Sequence, residues 1–231
     1  MWLRKLRSGD AVAHLVTLAV ASSVLLITVW LVVELYDSSA LSRQKLGWGF
    51  LLSREWDPVA ESFGALPFIY GTLVTSLVAL FIAVPMGVGA AIFLAELAPP
   101  RVSGALTFVV ELLAAVPSVI YGLLAIFVLV PPLREHVEPF LQEHFGFLPI
   151  FQGPIYGVGM LAAGLILAIM ILPFIVSISR EALLAVPAEQ REAALAVGAT
   201  RWEAAWQVVV PFARLGIVGS VFLALARALG E

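Results

Sequence analysis

Apolar residues along this chain come in long runs, each closed by a cluster of charged ones. A bilayer core takes roughly 20 mainly apolar helical residues. Four runs meet that length, at Ala11–Val33, Gly71–Leu94, Leu106–Val130 and Ile155–Ile178, and a fifth starts near Val208 and is still apolar at Glu231. Each predicts a membrane-spanning helix. Pro85, Pro117 and Pro173 fall inside runs, which membrane helices tolerate where neighbours satisfy the freed backbone groups. Residues 34–65 are mixed and charged, and predict an extracytoplasmic loop with a short interfacial helix. Arg134, Glu135, Glu138 and Glu143 predict a second polar loop. Residues 180–207 predict a long segment that does not span. The expected architecture is an all-α polytopic helix bundle, one transmembrane domain over 1–231. No helix stop signal follows Leu229-Gly230-Glu231, so at least one further span is expected beyond it.

Composition turns this pattern into a class. Hydrophobic residues make up 61% of the chain and charged residues 13%, with a mean hydropathy of +1.04. An ordinary soluble enzyme and a disordered chain are both excluded. The net charge of −3 is not that of a nucleic-acid binder. There is no cysteine, so no disulfide framework or thiol nucleophile. His14, His136 and His144 form no H-E-x-x-H pair, and neither Lys5 nor Lys45 fits a phosphate-binding G-x-x-x-x-G-K-[ST] loop. If transport is active, its energy comes from another chain or from an ion gradient.

The first run follows Arg4, Lys5 and Arg7 and contains Ala19-Val20-Ala21, features of a cleaved leader. It continues without a break to Val33, which predicts an uncleaved span. Trp30, Trp48 and Trp56 suit either an interfacial aromatic belt or loop packing. With the N-terminus inside, inner segments hold seven Lys and Arg (Arg4, Lys5, Arg7, Arg101, Arg180, Arg191, Arg201) and outer ones four (Arg43, Lys45, Arg54, Arg134). That bias places the N-terminus and residues 180–207 in the cytoplasm.

The cytoplasmic segment carries the most local signal. Pro187 suits a first helical position, and Glu189 and Glu192 favour the helix dipole. Gly198 is a natural stop. Thr200-Arg201-Trp202-Glu203 has the form of a capping box. Two short helices meeting at Gly198 are expected, presenting Ala193, Ala194, Leu195, Val197, Trp202 and Trp206. Two readings stand: a helix resting on lipid, or a knob that docks in a partner's groove.

Glu192-Ala193-Ala194, Gly198 after three residues, and Val208-Val209-Val210-Pro211 after nine more resemble the EAA loop of ABC-importer permeases. Val208 and Val210 stand where that family has Ile and Leu. The resemblance implies a type I importer fold and a coupling role for Glu192, Ala193, Ala194 and Gly198 against a cytoplasmic ATPase. A narrower likeness covers Arg54-Glu55-Trp56-Asp57-Pro58, Phe63-Gly64-Ala65, Ile69-Tyr70-Gly71-Thr72-Leu73 and Glu111 to Ser118. These stretches are similar to the PstC-type permeases of the phosphate importer, more than to the sister PstA type. The resemblance implies six spans, five of them within this chain, in a bacterial cytoplasmic membrane. It implies inorganic phosphate as cargo, ATP-Mg on a PstB-like ATPase and no cofactor here. A PstA-like second permease and a PstS-like extracytoplasmic phosphate-binding protein would complete the assembly.

Arg227 and Glu231 are four apart in the last run, a spacing that shares one helix face. An intramembrane Arg is costly and usually faces a bundle interior or a wet path. A guanidinium grips two oxyanion oxygens at once, and the carboxylate would hold it when no anion is bound. A structural salt bridge or a pair of membrane-edge charges fits the same spacing. The family's Arg-Ala-x-Gly-Glu motif matches Arg227-Ala228-Leu229-Gly230-Glu231, which implies phosphate translocation. Glu111 is expected to reach headgroups, Arg214 to snorkel, and His14 to sit at the interface. Gly153-x-x-x-Gly157 and Gly216-x-x-x-Ser220 predict close helix contacts. Three rival functions remain: a permease for another anion or an amino acid, an ion-coupled secondary transporter using Arg227 and Glu231, and a non-transporting membrane sensor or scaffold.

Overall fold

The structure is a computed structural model that describes residues 9–147 and 152–231. Arg4, Lys5 and Arg7 lie outside the described residues. Five described helices are long and apolar enough to cross a bilayer: Ala11–Ser38, Leu66–Leu97, Ser118–Phe145, Met160–Leu184 and Arg201–Leu229. The chain forms two compact units, Met1–Pro67 and Phe68–Glu231.

In the first unit, helix α1 (Gly9–Ser38) carries apolar side chains on every face, and its large ones are exposed, among them Leu26 and Trp30. Only lipid or another protein can cover such a surface. Three of its hydroxyls bond back to their own helix, Thr17 to the Ala13 carbonyl at 2.8 Å, Ser23 to that of Val20 at 2.8 Å and Thr28 to that of Val24 at 2.9 Å, so these donors need no partner from the membrane.

The charged stretch 34–65 is more ordered than the expected loop. It holds α2 (Ala40–Leu46), α3 (Gly49–Leu52) and an antiparallel pair, β1 (Trp56–Asp57) and β2 (Ser62–Phe63). Asp57 Oδ1 accepts from the Val59 and Ala60 amides at 2.8 and 3.1 Å and so builds the turn. Trp56 packs edge-on against Phe63, with centroids 5.1 Å apart. At Gly64 a Cβ would lie 2.2 Å from the Ser53 carbonyl oxygen, so only glycine lets the chain fold back there.

Lys45 on α2 pairs with Glu61 beside the turn. The Lys45 hydrogen bond, and then its charge, hold the Glu61 carboxyl below the usual carboxylate range. A lowered folded pKa means the pair stabilises fully above the ordinary value of about 4.3. Its contribution is lost as pH falls through the lowered value. Amide exchange in the β1–β2 hairpin is therefore expected to speed up in acid below that range, and Lys45→Met is expected to remove the acid dependence.

The second unit is built on α4 (Leu66–Ile92), which widens into a π turn at Phe93–Leu97. Its face of Ser76, Ala79, Ala83 and Gly87 is buried. At Gly87 a Cβ would meet Ile175 Cγ2 at 2.8 Å, so the missing side chain sets how closely the helices approach. Next comes α5 (Pro100–Ala114). The Ser103 hydroxyl donates to the Leu94 carbonyl at 2.7 Å and ties α5 to the π turn.

The helix expected over Leu106–Val130 is a correction: it is two helices. Pro117 lacks an amide proton and steers Val116 out of helical geometry. α5 ends at Ala114, and α6 starts at Ser118 and runs to Phe145. Tyr121, buried, donates to the Leu113 carbonyl at 2.8 Å across the break. α6 also absorbs the loop expected at 134–143. Pro131 and Pro132 are carried between π turns at Ala125–Leu129 and Leu133–Val137, whose wider hydrogen bonds re-pair the backbone.

α7 (Met160–Leu184) starts later and ends later than the expected Ile155–Ile178, so residues 180–184 are helix and not loop. Gly153 and Gly157 lie before it, at φ +136° and +74°, and form no helix contact motif. α8 (Ala188–Ala196) follows. α9 (Arg201–Leu229) contains a π turn at Ala205–Val209. The second short helix expected from Thr200 is therefore the start of the last long helix.

α7 and α9 form the central contact, and Gly216-x-x-x-Ser220 is where it closes. A Cβ on Gly216 would lie 2.4 Å from that of Ala182. Ser179 and Ser220, both buried, have their hydroxyls 2.8 Å apart, and Ser220 donates onward to the Ile217 carbonyl at 2.7 Å. Ser179 is therefore the donor to Ser220.

Candidate functional site

Two groups of residues carry candidate chemistry, both in the second unit. The first is α8 with the start of α9. Pro187 sits one residue before α8, at φ −56° and ψ 140°, and Glu189 lies in the first turn. α8 ends in a Schellman motif: the Ala199 amide donates to the Ala194 carbonyl at 3.1 Å, and that of Gly198 to the Leu195 carbonyl at 3.0 Å. Gly198 sits at φ +92°, where a side chain is strained. The capping box then starts α9. The Glu203 amide donates to Thr200 Oγ1 at 3.3 Å, and Glu203 Oε2 accepts from the Thr200 amide at 2.7 Å.

Two helix ends satisfied back to back make this a defined corner. Its outer surface is apolar. Ala193, Leu195, Val197, Trp202 and Trp206 are exposed, and the two indoles stack with centroids 6.1 Å apart. Ala194 is a correction to the expected outward set: it is 8% exposed and faces inward, with α8 packed on the π turn at Ala205–Val209. Glu192 is exposed. Of the four expected coupling residues, Glu192, Ala193 and Gly198 are outward, and Ala194 seats the helix.

The second group surrounds Arg227, on the last turns of α9. Its guanidinium carbon stands 4.2 Å from the ring centroid of Phe174 on α7. A cation over an aromatic face gains about 0.5–2 kcal/mol. Its Nε is buried and has no hydrogen-bond partner among the described residues. Glu231, four positions on from Arg227, is the last residue of the sequence and is exposed. Among the described residues the ion pairs are Lys45–Glu61, Arg180–Glu181 and Arg191–Glu96, and none involves Arg227. The cation is thus held by a ring face and keeps an unpaired donor, which is what an oxyanion needs.

No local pattern announces the third of those pairs. Glu96, in the π turn ending α4, is 10% exposed at its side chain and faces Arg191 of α8 at 2.8 Å. Both residues carry charge, yet Arg191 reads in sequence as one more inner-loop cation. Glu111 is exposed in the last turn of α5. His14 and Arg214 are exposed on their helices. Among the described residues, no three His, Asp or Glu side chains come together as a metal site.

Residues 83–231 match the family model described as binding-protein-dependent transport system inner membrane component. Curated relatives agree over a longer stretch. The phosphate transport system permease protein PstC of Mesorhizobium japonicum is 45% identical over 99% of this chain and 71% of its own length. The protein of the same name from Xylella fastidiosa strain 9a5c is 45% identical over 99% of this chain and 72% of its own. That of Haemophilus influenzae is 47% identical over 87% of this chain and 65% of its own.

Proposed function

This chain belongs to the family of binding-protein-dependent transport system inner membrane components, and from that membership we propose that it is the permease subunit of an ATP-driven importer of inorganic phosphate. It is a multi-pass membrane protein and not an enzyme; ATP is hydrolysed by a separate subunit. The observation that carries the substrate is its 45% identity, over 99% of its length, to a phosphate transport permease.

The site residues fit that role. Arg227 is the oxyanion donor of the path, with Glu231 beside it in sequence. Phosphate enters with its charge met by that guanidinium, whose buried Nε has no hydrogen-bond partner among the described residues. The α8 corner, Glu192 to Gly198, docks on the PstB-like ATPase. Its exposed apolar knob enters a groove there, and its movement alternates the access of the pore.

The partners completing the assembly are a PstA-like second permease and a PstS-like phosphate-binding protein on the outer side. The N-terminus lies in the cytoplasm. In support, Arg101 and Arg191 fall in the connections that this orientation puts inside, while Glu61 and the β1–β2 hairpin fall outside.

The test is uptake of labelled phosphate by proteoliposomes holding the full-length subunit and its co-encoded partners. Uptake is expected only with ATP on the ATPase side, and excess unlabelled sulfate is expected not to suppress it. Uptake without ATP would replace this reading with an ion-coupled transporter. Hydrolysis of ATP without phosphate uptake would keep the importer and change its cargo.

A further inference from the structure

Arg191 makes more contacts than an anchoring cation needs. Its Nε donates to both carboxylate oxygens of Glu96, at 3.1 Å each, and Nη2 to Oε1 at 2.8 Å. Nη1 donates to the Val186 carbonyl at 2.5 Å, and Nη2 also to that of Leu183 at 2.7 Å. One planar group thus meets a carboxylate side-on and two backbone carbonyls at the end of α7, that of Leu183, which also accepts from the Val186 amide at 3.2 Å, and that of Val186 in the link.

These contacts join three elements. Glu96 lies in the π turn that closes α4, Leu183 in the last turn of α7, Val186 in the link, and Arg191 in α8. The surroundings make the joint stiff. Leu183, Val186, Ala91 and Ile92 are buried in one apolar cluster with Ala205, Val209 and Ala213. Ser103 holds the same π turn from the other side through Leu94. Packed interiors transmit displacement because they have no room to absorb it.

We infer that Glu96 and Arg191 form the rigid joint through which displacement of α8 is passed to the inner ends of α4 and α7. They are positioning residues: neither touches cargo or nucleotide. The inference rests on the proposed coupling role of α8. With the joint intact, α8 moves only when both long helices move, so the ATPase closes only as the pore changes access. With the pair broken, α8 swings alone and hydrolysis no longer waits for the pore.

Glu96→Gln and Arg191→Lys test this in the complete reconstituted complex. The first keeps the shape and removes the charge; the second keeps the charge and removes the fork. Two quantities are read on assembled complexes: ATP hydrolysis without cargo, and phosphate moved per ATP. Cargo-free hydrolysis is expected to rise, and phosphate per ATP to fall, each by about fivefold or more. The double variant is expected to match either single one, since both remove the same joint.

Cargo-free hydrolysis at the unmodified rate in both variants would overturn the inference. So would a failure of both variants to assemble, which would make the pair purely structural. Should the unmodified complex hydrolyse ATP and move no phosphate, the cargo reading falls, and the cargo-free rates still decide the joint.

Discussion

Replacing Arg227 with Gln is expected to cut phosphate uptake by about two orders of magnitude and to leave assembly with the other subunits intact. Removing one member of a desolvated, hydrogen-bonded charge pair costs about 2–5 kcal/mol. If the guanidinium meets the passing anion, that loss falls on transport. The fold loses little. Among the described residues Arg227 gives up a contact with the Phe174 ring, and its buried Nε has no hydrogen-bond partner to lose. A structural salt bridge would behave oppositely, because breaking one strands a buried carboxylate and the complex would suffer first. Arg227→Lys is expected to fall between, keeping the charge without the fork. Uptake and the yield of co-purified subunits, measured on the same preparations, separate these outcomes. Unchanged uptake by Arg227→Gln would remove Arg227 from the path.

What could be read from the sequence was what depends on neighbours within a turn or two, or on bilayer length. The long helices follow from apolar runs that have few other fates. Gly198 and the Thr200–Glu203 box are local grammar, and the structure places both as the residues dictate. The expected Leu106–Val130 helix went wrong at both ends for one reason. Pro117 breaks a helix where nothing compensates, whereas Pro131 and Pro132 are kept inside α6 by π turns that no residue pattern announces.

Ala194 was misplaced because an alanine-rich segment has no contrast between faces, so only packing on Ala205–Val209 tells inside from outside. Glu96 and Arg191 are 95 positions apart. Nothing local joins them, and only the folding of α4 back against α7 and α8 brings the charges together.

Val197→Asp is expected to leave the permease folded and to strip it of its ATPase. Val197 is 86% exposed, just past the end of α8 and before the Gly198 turn. Substitutions at such positions usually change stability by no more than about 0.5 kcal/mol. In the docked state the balance differs. A valine buried in a groove contributes about 1.5–3 kcal/mol, which is lost, and a carboxylate desolvated there without a partner adds a further penalty. The sum is at least about 30-fold weaker docking, since each 1.4 kcal/mol is a factor of ten.

Gly198→Ala makes a useful contrast, because it strains the corner at φ +92° by about 1–2 kcal/mol without adding charge to the surface. Its effect on docking is expected to be milder. The ratio of ATPase to permease after affinity purification measures both. A Val197→Asp permease that retains its ATPase would mean that the Val197 face rests on lipid. Loss of the ATPase, with the apolar core of α7 and α9 undisturbed, would show that the corner is shaped for a protein groove and that its Schellman turn and capping box hold the knob ready before the partner arrives.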